Sequence, residues 1–311
     1  MQKPRVFIAR RLALDPRQVL GAGVEIDLHD SESALPRAEL LRRAHESSGL
    51  VATLADKVDG ELLDAAPRLR IVANHAVGYD NVDVPACTRR SVWVTNTPDV
   101  LTDATADLTW ALILALARRL REGERLLRSG GFSGWAPTML LGRELRGRTL
   151  GIFGYGRIGQ AVARRAEGFG MRVLFNTRGG GVSFEELLEE SDVLSIHVPL
   201  STQTRHAFGP AELLRMKRGA LLINTARGPI VDEAALVAAL AARHLGGAGL
   251  DVFENEPAVH PGLAGRDDVV LLPHLGSATQ EAREAMARIA LSEVERVLRG
   301  ERPLHAVNEV P

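Results

Sequence analysis

Three polar side chains in the last third of the chain have the types needed to bind an anion and move a proton. Arg227, Glu256 and His274 each follow a short apolar run, so each is predicted to lie just past the end of a strand. The carboxyl ends of parallel strands meet at one edge of an open α/β sheet, where ligands bind. A guanidinium binds anions, and an imidazole beside a carboxylate exchanges protons. The pattern therefore predicts one site for acid–base chemistry on an anionic substrate.

A glycine-rich turn upstream predicts a dinucleotide cofactor. The letters GYGRIG at residues 154–159 follow a strand pattern and open a helical segment. The glycines permit a tight turn and a close approach of the backbone to a pyrophosphate, which then binds free N–H groups at the helix N-terminus. The contacts predicted in this turn are Gly154, Tyr155, Gly156, Arg157, Ile158 and Gly159.

The segment after the next strand pattern bears on the choice of cofactor. A site that prefers NAD places Asp or Glu there for the ribose 2′-hydroxyl, whereas an arginine accommodates a 2′-phosphate. Here residues 171–175 are followed by Asn176, Thr177 and Arg178, with no carboxylate among them. We therefore expect NADP(H) to be favoured, with NAD(H) as the alternative if Arg178 is only a solvated loop charge.

Strand and helix patterns alternate along the chain. Strands are predicted at residues 5–9, 49–53, 69–73, 92–94, 149–153 and 171–175, and helices at 36–46, 60–66, 84–90, 99–128, 157–169 and 278–299. Such alternation favours parallel, doubly wound sheets in two units. The helix at 99–128 is predicted either to bridge the two units or to lie in the core of the second.

Composition excludes several classes of partner. A net charge of −1 and a pI near 6.8 give no reason to expect binding to nucleic acid or to a membrane surface. The longest apolar stretch, residues 110–117, is too short to span a bilayer, and residues 1–30 lack the pattern of a secretory signal. Cys87 is the only cysteine, which suits a cytoplasmic protein. No metal site is expected, since Asp80 and Asp83 are too isolated to form one.

Several motifs occur in the order and spacing of one enzyme family. They are AVGYDNVD at 76–83, VTNTP at 94–98, the glycine turn, INTARG at 223–228, GLDVF at 249–253 and PHLGS at 273–277. The chain thus resembles the D-isomer-specific 2-hydroxyacid dehydrogenases over essentially all of its 311 residues. Residues 98–108, PDVLTDATADL, are similar to the start of the interdomain helix in the glyoxylate/hydroxypyruvate reductases of that family.

The resemblance implies a Rossmann cofactor domain inserted into a flavodoxin-like substrate domain. We expect the outer substrate domain to comprise residues 1–98 and 287–311, and the dinucleotide-binding domain to comprise residues 99–286. Members of the family are usually dimers built on their cofactor domains. The stretch around Trp135 resembles their dimer arm, which in related reductases approaches the substrate cleft of the partner, although Trp135 could equally be an ordinary packing residue.

The resemblance also assigns a role to each of the three polar residues. His274 would donate a proton to the substrate carbonyl as hydride leaves the nicotinamide. Glu256 would bind His274, favour its charged form and fix its orientation. Arg227 would bind the carboxylate of a 2-oxo acid, for which a planar fork suits better than lysine. The other eight histidines lack comparable neighbours, and we expect them to be structural.

Further contacts follow from the resemblance alone. The backbone of Val77 and Gly78 would bind the substrate carboxylate, and Leu54 and Ser277 would line the pocket. Cofactor contacts are expected at Thr105, Val198, Pro199, Thr225, Ala226 and Asp251.

The expected reaction is reduction of glyoxylate to glycolate and of hydroxypyruvate to D-glycerate. D-3-phosphoglycerate dehydrogenase is the main alternative, but those relatives carry an arginine near the position of Asn74. Formate dehydrogenases have a different pattern around the histidine. An NAD(H)-binding protein of the corepressor type, with the same fold and no turnover, is the alternative from another class.

Overall fold

The computed structural model describes residues 3–310 and divides into two compact units. One comprises Met1–Leu101 with Ala278–Pro311, and the other comprises Thr102–Ser277. The first unit is therefore built from both ends of the chain, with the second inserted between them. These divisions differ from the expected boundaries near residues 98 and 287, because the final helix belongs to the first unit from its first turn.

Within the described residues the strands are β1 (Arg5–Ile8), β2 (Glu25–Leu28), β3 (Gly49–Ala52), β4 (Ile71–Asn74), β5 (Trp93–Thr95), β6 (Thr149–Phe153), β7 (Arg172–Thr177), β8 (Gly180–Gly181), β9 (Val193–Ile196), β10 (Leu221–Asn224), β11 (Gly247–Leu250) and β12 (Val269–Leu271). The α-helices are α1 (Arg37–Ala44), α2 (Gly60–Ala65), α3 (Val84–Arg89), α4 (Thr102–Ala117), α5 (Leu120–Arg128), α6 (Arg157–Ala166), α7 (Phe184–Glu190), α8 (Pro210–Arg215), α9 (Glu233–Ala241), α10 (Pro261–Ala264) and α11 (Gln280–Leu298). Short 3₁₀ turns lie at Pro16–Gln18, Glu167–Phe169 and Gly228–Ile230.

The first unit contains a five-stranded parallel sheet in the order β2-β1-β3-β4-β5, the order typical of flavodoxin-like folds. One face is covered by α1, α2 and α3, whose apolar side chains pack with those of β1, β3 and β4. The other face is covered by α11, through residues such as Ala290, Leu291 and Val294. The sequence prediction missed β2, because Glu25–Leu28 is a half-exposed edge strand without a continuous apolar run.

The second unit contains a seven-stranded sheet in the order β12-β11-β10-β9-β6-β7-β8. If β6 is numbered 1 and the strands are counted along the chain, the order from β8 to β11 is the Rossmann order 3-2-1-4-5-6. The strand β12 is added beside β11. All neighbouring strands of the sheet are parallel except β7 and β8, which form an antiparallel hairpin. The fold predicted from sequence, two doubly wound sheets with a Rossmann unit inserted into a flavodoxin-like one, is confirmed.

Two apolar clusters cover opposite faces of this second sheet. Side chains of α7, α8 and α9 form one, and those of α4 and α6 form the other. The single helix predicted at residues 99–128 is wrong in detail, since Arg119 has a φ of 53° and separates α4 from α5. The cause is a change of environment: α4 is a core helix of the second unit, whereas α5 has no buried residue.

Neither a membrane-spanning helix nor a group of side chains suited to hold a metal ion occurs among residues 3–310.

Candidate active site

The side chains of His274 and Glu256 are hydrogen-bonded to each other at the carboxyl edge of the second sheet. His274 follows β12, and its Nδ1 lies 3.0 Å from Oε2 of Glu256. The other carboxylate oxygen of Glu256, Oε1, accepts a hydrogen bond from the Phe253 N–H at 3.0 Å. Because Nδ1–H is engaged by the carboxylate, Nε2 is the ring nitrogen that can exchange a proton with a ligand. The arrangement is that of a general acid held by a carboxylate.

The pKa of Glu256 reflects opposing influences. Burial raises it, but the hydrogen bond to His274, the charge of His274, the Phe253 N–H and the charge of Arg227 together bring the pKa below its ordinary value. Glu256 is therefore ionised at neutral pH. Arg227 is one of the charges that lower this pKa, and its Nη1 donates to the Ala226 carbonyl at 2.8 Å.

Asp251 holds the turn that carries His274. Its carboxylate accepts hydrogen bonds from the N–H groups of Leu275 at 2.6 Å and Gly276 at 2.8 Å, and its carbonyl accepts from the His274 N–H at 2.9 Å. Burial raises the pKa of this fully enclosed carboxyl, and the charge of Glu256 raises it further, although the two N–H donors and His274 oppose the shift. His274 has a φ of 56°, so the turn is held in a conformation that L-residues rarely adopt.

The turn that carries Arg227 depends on Asn224, the last residue of β10. Its Oδ1 accepts from the Ala226 N–H at 3.0 Å, and its Nδ2 donates to the Arg227 carbonyl at 2.9 Å. Gly228 follows, directly against the Phe253 carbonyl, and a Cβ on residue 228 would overlap that carbonyl. The turn after β10 and the turn after β11 are thus packed backbone to backbone, which keeps Arg227 and Glu256 in one site.

The glycine turn has the shape that a pyrophosphate needs. Gly154 has a φ of 99°, and its Cβ position is blocked by the carbonyl of His197 at 2.6 Å and by Val198 at 2.7 Å. Gly159 lies against the carbonyl of Gly154, where no Cβ would fit. The space around the Cβ position of Gly156 is instead open, and this residue is the N-cap of α6, which has no capping side chain. An anion placed there would meet uncapped N–H groups at the positive end of the helix.

The segment expected to contact the adenosine of the cofactor is a tight hairpin between β7 and β8. Asn176 pairs with Gly181 and Thr177 pairs with Gly180, so Arg178 and Gly179 alone form the turn. Arg178 is exposed. Asn176 is turned towards the protein, since its Nδ2 donates to the Val182 carbonyl at 2.8 Å. Of the three residues predicted here, Arg178 and Thr177 remain accessible to a cofactor.

The other predicted cofactor contacts lie on several elements of this unit. Thr105 donates to the Gly276 carbonyl at 3.0 Å, and the Thr225 hydroxyl lies 3.0 Å from that of Thr109. Val198 and Pro199 follow β9, and Tyr155 stacks on Phe175 with ring centroids 4.0 Å apart. Ala226 lies in the Arg227 turn. Ser277, the last residue of this unit, follows the turn held by Asp251.

The remaining predicted substrate contacts belong to the first unit. Leu54 follows β3, and Val77 and Gly78 follow β4. Asn96 Nδ2 donates to the Val77 carbonyl and Asn74 Nδ2 donates to the Gly78 carbonyl, both at 2.8 Å, which fixes the backbone of this loop. Asn74 is fully buried. It is therefore part of the loop scaffold, and its side chain is not exposed to contact a substrate directly.

Two residues that shape the site were not predicted from sequence: Asn224 and Gly228. Both lie in the INTARG motif at residues 223–228, all of which matches the family, but a site role was expected only for Arg227, Thr225 and Ala226. Asn side chains commonly accept a hydrogen bond from the backbone N–H two residues further on. An Asn at the end of a strand could therefore have indicated the role of Asn224. The close approach at Gly228 involves a different loop and has no local signature.

Comparison with known proteins agrees with this geometry. A family model for the NAD binding domain of D-isomer specific 2-hydroxyacid dehydrogenases matches residues 110–276. A glyoxylate reductase of Thermococcus litoralis is 48% identical, over 99% of this chain and 97% of the relative. A crystal structure of a Thermus thermophilus protein is 46% identical with a TM-score of 0.93, covering 98% of this chain and 100% of that one. An NADPH-dependent glyoxylate/hydroxypyruvate reductase of Sinorhizobium meliloti, solved with NADP and malonate, is 37% identical with a TM-score of 0.83, covering 100% and 98%.

The chain belongs to the D-isomer specific 2-hydroxyacid dehydrogenase family. It is an oxidoreductase that uses a nicotinamide cofactor to reduce 2-oxo acids. The resemblance predicted from sequence motifs is confirmed, and the non-enzymatic and phosphoglycerate alternatives are not favoured.

Proposed function

We propose that the protein is a glyoxylate/hydroxypyruvate reductase that favours NADP(H), with Arg227, Glu256 and His274 as its catalytic residues. The observation that carries the proposal is the 3.0 Å contact between His274 Nδ1 and Glu256, beside a guanidinium whose charge lowers the pKa of the same carboxyl. An acid, its carboxylate partner and an anion binder are thus present together. The relatives named glyoxylate reductase support the choice of substrate.

The three side chains divide the work on a 2-oxo acid. Arg227 binds the substrate carboxylate and polarises the ketone, since its fork can bond two oxygens at once. His274 donates the proton on Nε2 to the ketone oxygen as negative charge develops there, and Glu256 stabilises the imidazolium before the transfer. The bound nicotinamide supplies the hydride.

The two units have separate tasks in this proposal. The second unit is the cofactor domain: the N-terminus of α6 and the glycine turn would hold the pyrophosphate, and Asp251 would contribute to binding of the nicotinamide carboxamide. The first unit is the substrate domain, in which the N–H groups of Val77 and Gly78 bind the substrate carboxylate. Leu54 is a further substrate contact of the first unit, and Ser277 is one of the second.

The preference for NADP(H) rests on the β7–β8 hairpin. Residues 172–184 contain no Asp or Glu, so nothing in the hairpin repels a 2′-phosphate. Arg178 stands at the tip of a two-residue turn, where it can pair with that phosphate. The Sinorhizobium meliloti relative solved with NADP is described as NADPH-dependent.

A kinetic matrix tests the proposal. Glyoxylate, hydroxypyruvate, pyruvate and 3-phosphohydroxypyruvate are each assayed with NADH and with NADPH, for the wild type and for Arg227→Ala and Arg227→Lys. We expect kcat/KM to be highest for glyoxylate and hydroxypyruvate with NADPH, to fall most in Arg227→Ala, and to recover only partly in Arg227→Lys. A best substrate of 3-phosphohydroxypyruvate would show a phosphoglycerate dehydrogenase, and no turnover of any acid would favour the corepressor-type alternative.

We also propose that the protein is a homodimer formed through the second unit. Large apolar side chains are exposed on α5 and the segment after it: Leu120, Leu127, Phe132, Trp135 and Leu141, with Trp135 81% exposed. The helix itself has no buried residue, although it is strongly amphipathic. An exposed apolar stripe of this kind favours association, and a second copy of the chain is the partner that is always present.

Light scattering after gel filtration tests the dimer. The wild type is expected at twice the mass of the chain, Leu127→Glu is expected to be monomeric, and exposed Leu304→Glu in the first unit is the control. A monomeric wild type would refute the proposal. If Trp135 also reaches the substrate cleft of the partner, Trp135→Ser raises KM for the 2-oxo acid without separating the subunits.

A further inference from the structure

The loop that carries Glu256 is closed by its own backbone. It runs over residues 254–260, between the end of β11 and the start of α10. Within it, the Ala258 N–H donates to the Asn255 carbonyl at 2.9 Å, and these two residues form an isolated antiparallel bridge. Glu256 lies at the tip of this small closed loop and is itself exposed. Its position therefore depends on what holds the two ends of the loop.

The beginning of the loop is held by a buried carboxylate, that of Glu233. Oε1 of Glu233 accepts a hydrogen bond from the Glu254 N–H at 2.8 Å. Glu233 is only 5% exposed. A buried carboxylate bonded to a loop N–H is a fixed point, because loss of the bond would leave the buried charge with one donor fewer.

The helix in which Glu233 lies does not need this carboxylate. Glu233 is the first residue of α9, a position where an acidic side chain commonly stabilises the helix N-terminus. Here Asp232 already caps the helix, accepting from the Ala235 N–H at 2.9 Å. The carboxylate of Glu233 instead accepts its hydrogen bond from the loop. Burial raises the pKa of Glu233, which means that the charged form is less favourable there than in water. An exposed carboxylate at the start of a helix would avoid this penalty.

Glu254 reinforces the attachment from the loop side. Its Oε2 accepts from the Glu233 N–H at 3.4 Å, so the two residues bond each other reciprocally. Its Oε1 lies 2.7 Å from Nε2 of His206, which provides a partner for the negative charge. Gly228 packs against the Phe253–Glu254 peptide from the Arg227 side. The start of the loop is consequently tied to α9, to His206 and to the Arg227 turn.

We propose that Glu233 is a positioning residue for proton transfer: by holding the beginning of the 254–260 loop it fixes Glu256, which in turn orients the imidazole of His274. This inference rests on the proposed roles of Glu256 and His274. Glu233 touches neither substrate nor cofactor, so its loss acts on the orientation and charge of the imidazole and leaves the binding groups in place.

The test compares Glu233→Gln, Glu233→Asp and Glu233→Ala with Asp192→Asn. Asp192 also accepts a backbone hydrogen bond in the second unit, from the Thr149 N–H at 2.8 Å, but at the amino-terminal edge of the sheet. Glu233→Gln keeps the size of the side chain but replaces the charged acceptor of the Glu254 N–H with a weaker neutral amide, and Glu233→Ala removes the acceptor. Each variant is assayed for 2-oxo acid reduction over a range of pH, with KM for acid and cofactor measured separately.

We expect kcat to fall about tenfold in Glu233→Gln and Glu233→Ala, with both KM values within about twofold of the wild type, because a misplacement of catalytic groups by less than 1 Å lowers the rate without removing binding. The basic limb of the kcat–pH profile moves to lower pH, since a displaced Glu256 no longer supports the imidazolium. Glu233→Asp recovers part of kcat, and Asp192→Asn leaves kcat and the basic limb unchanged.

Two results would overturn the proposal. One is a basic limb that stays in place in Glu233→Gln; the other is an equal loss of kcat in Asp192→Asn. If Glu233→Ala does not fold, the Gln and Asp variants decide the question. Glu256→Gln and His274→Asn are assayed in parallel. Wild-type rates in those two refute the proposed catalytic roles, whereas low rates there with an unaltered Glu233→Gln refute only the positioning role.

Discussion

The backbone carbonyl of Asp251 accepts a hydrogen bond from the His274 N–H at 2.9 Å, while the carboxylate of Asp251 holds the next two N–H groups of the same turn. One residue at the end of β11 thus fixes the backbone of a residue that follows β12. Asp251 thus holds the backbone of the proposed acid, and Glu256 contacts its imidazole ring.

Replacing Asp251 with Asn should disturb this turn while preserving the size of the side chain. An amide can accept one of the two N–H groups, but its NH₂ faces the other, and the turn must move. We expect kcat to fall by about 10–100-fold, because small displacements of catalytic groups are costly. Steady-state kinetics with Asp192→Asn as the control is the measurement, and a wild-type kcat in Asp251→Asn would contradict the role given to the turn.

Glu256 should make stability depend on pH in a predictable direction. The pKa of Glu256 is lower in the folded protein than in the unfolded chain. Its contribution to the free energy of unfolding is therefore fully present above the unfolded pKa and is lost as pH falls through the folded pKa. The side chain is 38% exposed, so solvent screening should keep the effect to about 1 kcal/mol or less. Thermal melts of wild type and Glu256→Gln should differ more at pH 7 than at pH 4; an equal difference at both would be inconsistent with the ionised pair.

His197 should make the protein sensitive to acid. Burial lowers the pKa of His197 to about 3, so between that value and the unfolded pKa the unfolded chain binds more protons and stability falls as pH falls. Between pH 7 and pH 5, His197 should lower the free energy of unfolding by about 2 kcal/mol. Urea unfolding of His197→Asn should show a shallower decline with pH than the wild type, and His45→Asn, at an exposed histidine, should not. Parallel pH dependences for all three would remove His197 as the cause.

Gly228 should not tolerate a side chain. A methyl group there would overlap the Phe253 carbonyl, so the two turns must separate. Gly228→Ala should lower the free energy of unfolding by about 2–3 kcal/mol and should also lower kcat, because Arg227 and Glu256 move apart. Gly168→Ala, at a position with open space around its Cβ, is the control. Near-normal stability and activity in Gly228→Ala would show that the backbone contact is not needed.

Arg178 should affect one cofactor and not the other. Arg178→Ala should raise KM for NADPH about tenfold, since a charge-assisted hydrogen bond contributes about 1.5–3 kcal/mol, and should leave KM for NADH unchanged. Arg172→Ala is the matched control, because it removes an exposed arginine from the same hairpin at the far end of β7. Equal changes for NADPH and NADH in Arg178→Ala would assign the arginine to general stability instead of 2′-phosphate binding.

The architecture of both units could be predicted from residue patterns alone. Apolar runs of four or five residues, separated by helical patterns, predicted the parallel strands, and the glycine turn identified the Rossmann unit. Such patterns are readable because they reflect the burial of each local segment. The local signal failed where burial was partial, as at β2, and where a helix left the core, as between α4 and α5.

The contacts that hold the site together could not be predicted from the sequence. Glu233, Asn224 and Gly228 carry no local pattern that connects them to His274, and the two-residue hairpin that presents Arg178 exists because β8 pairs with β7. The 3.0 Å contact of Glu256 with His274 joins loops after two neighbouring strands. Hydrogen bonds of this kind depend on the relative placement of separate loops to within a fraction of an ångström, and that placement is set by the packing of the whole sheet and its helices.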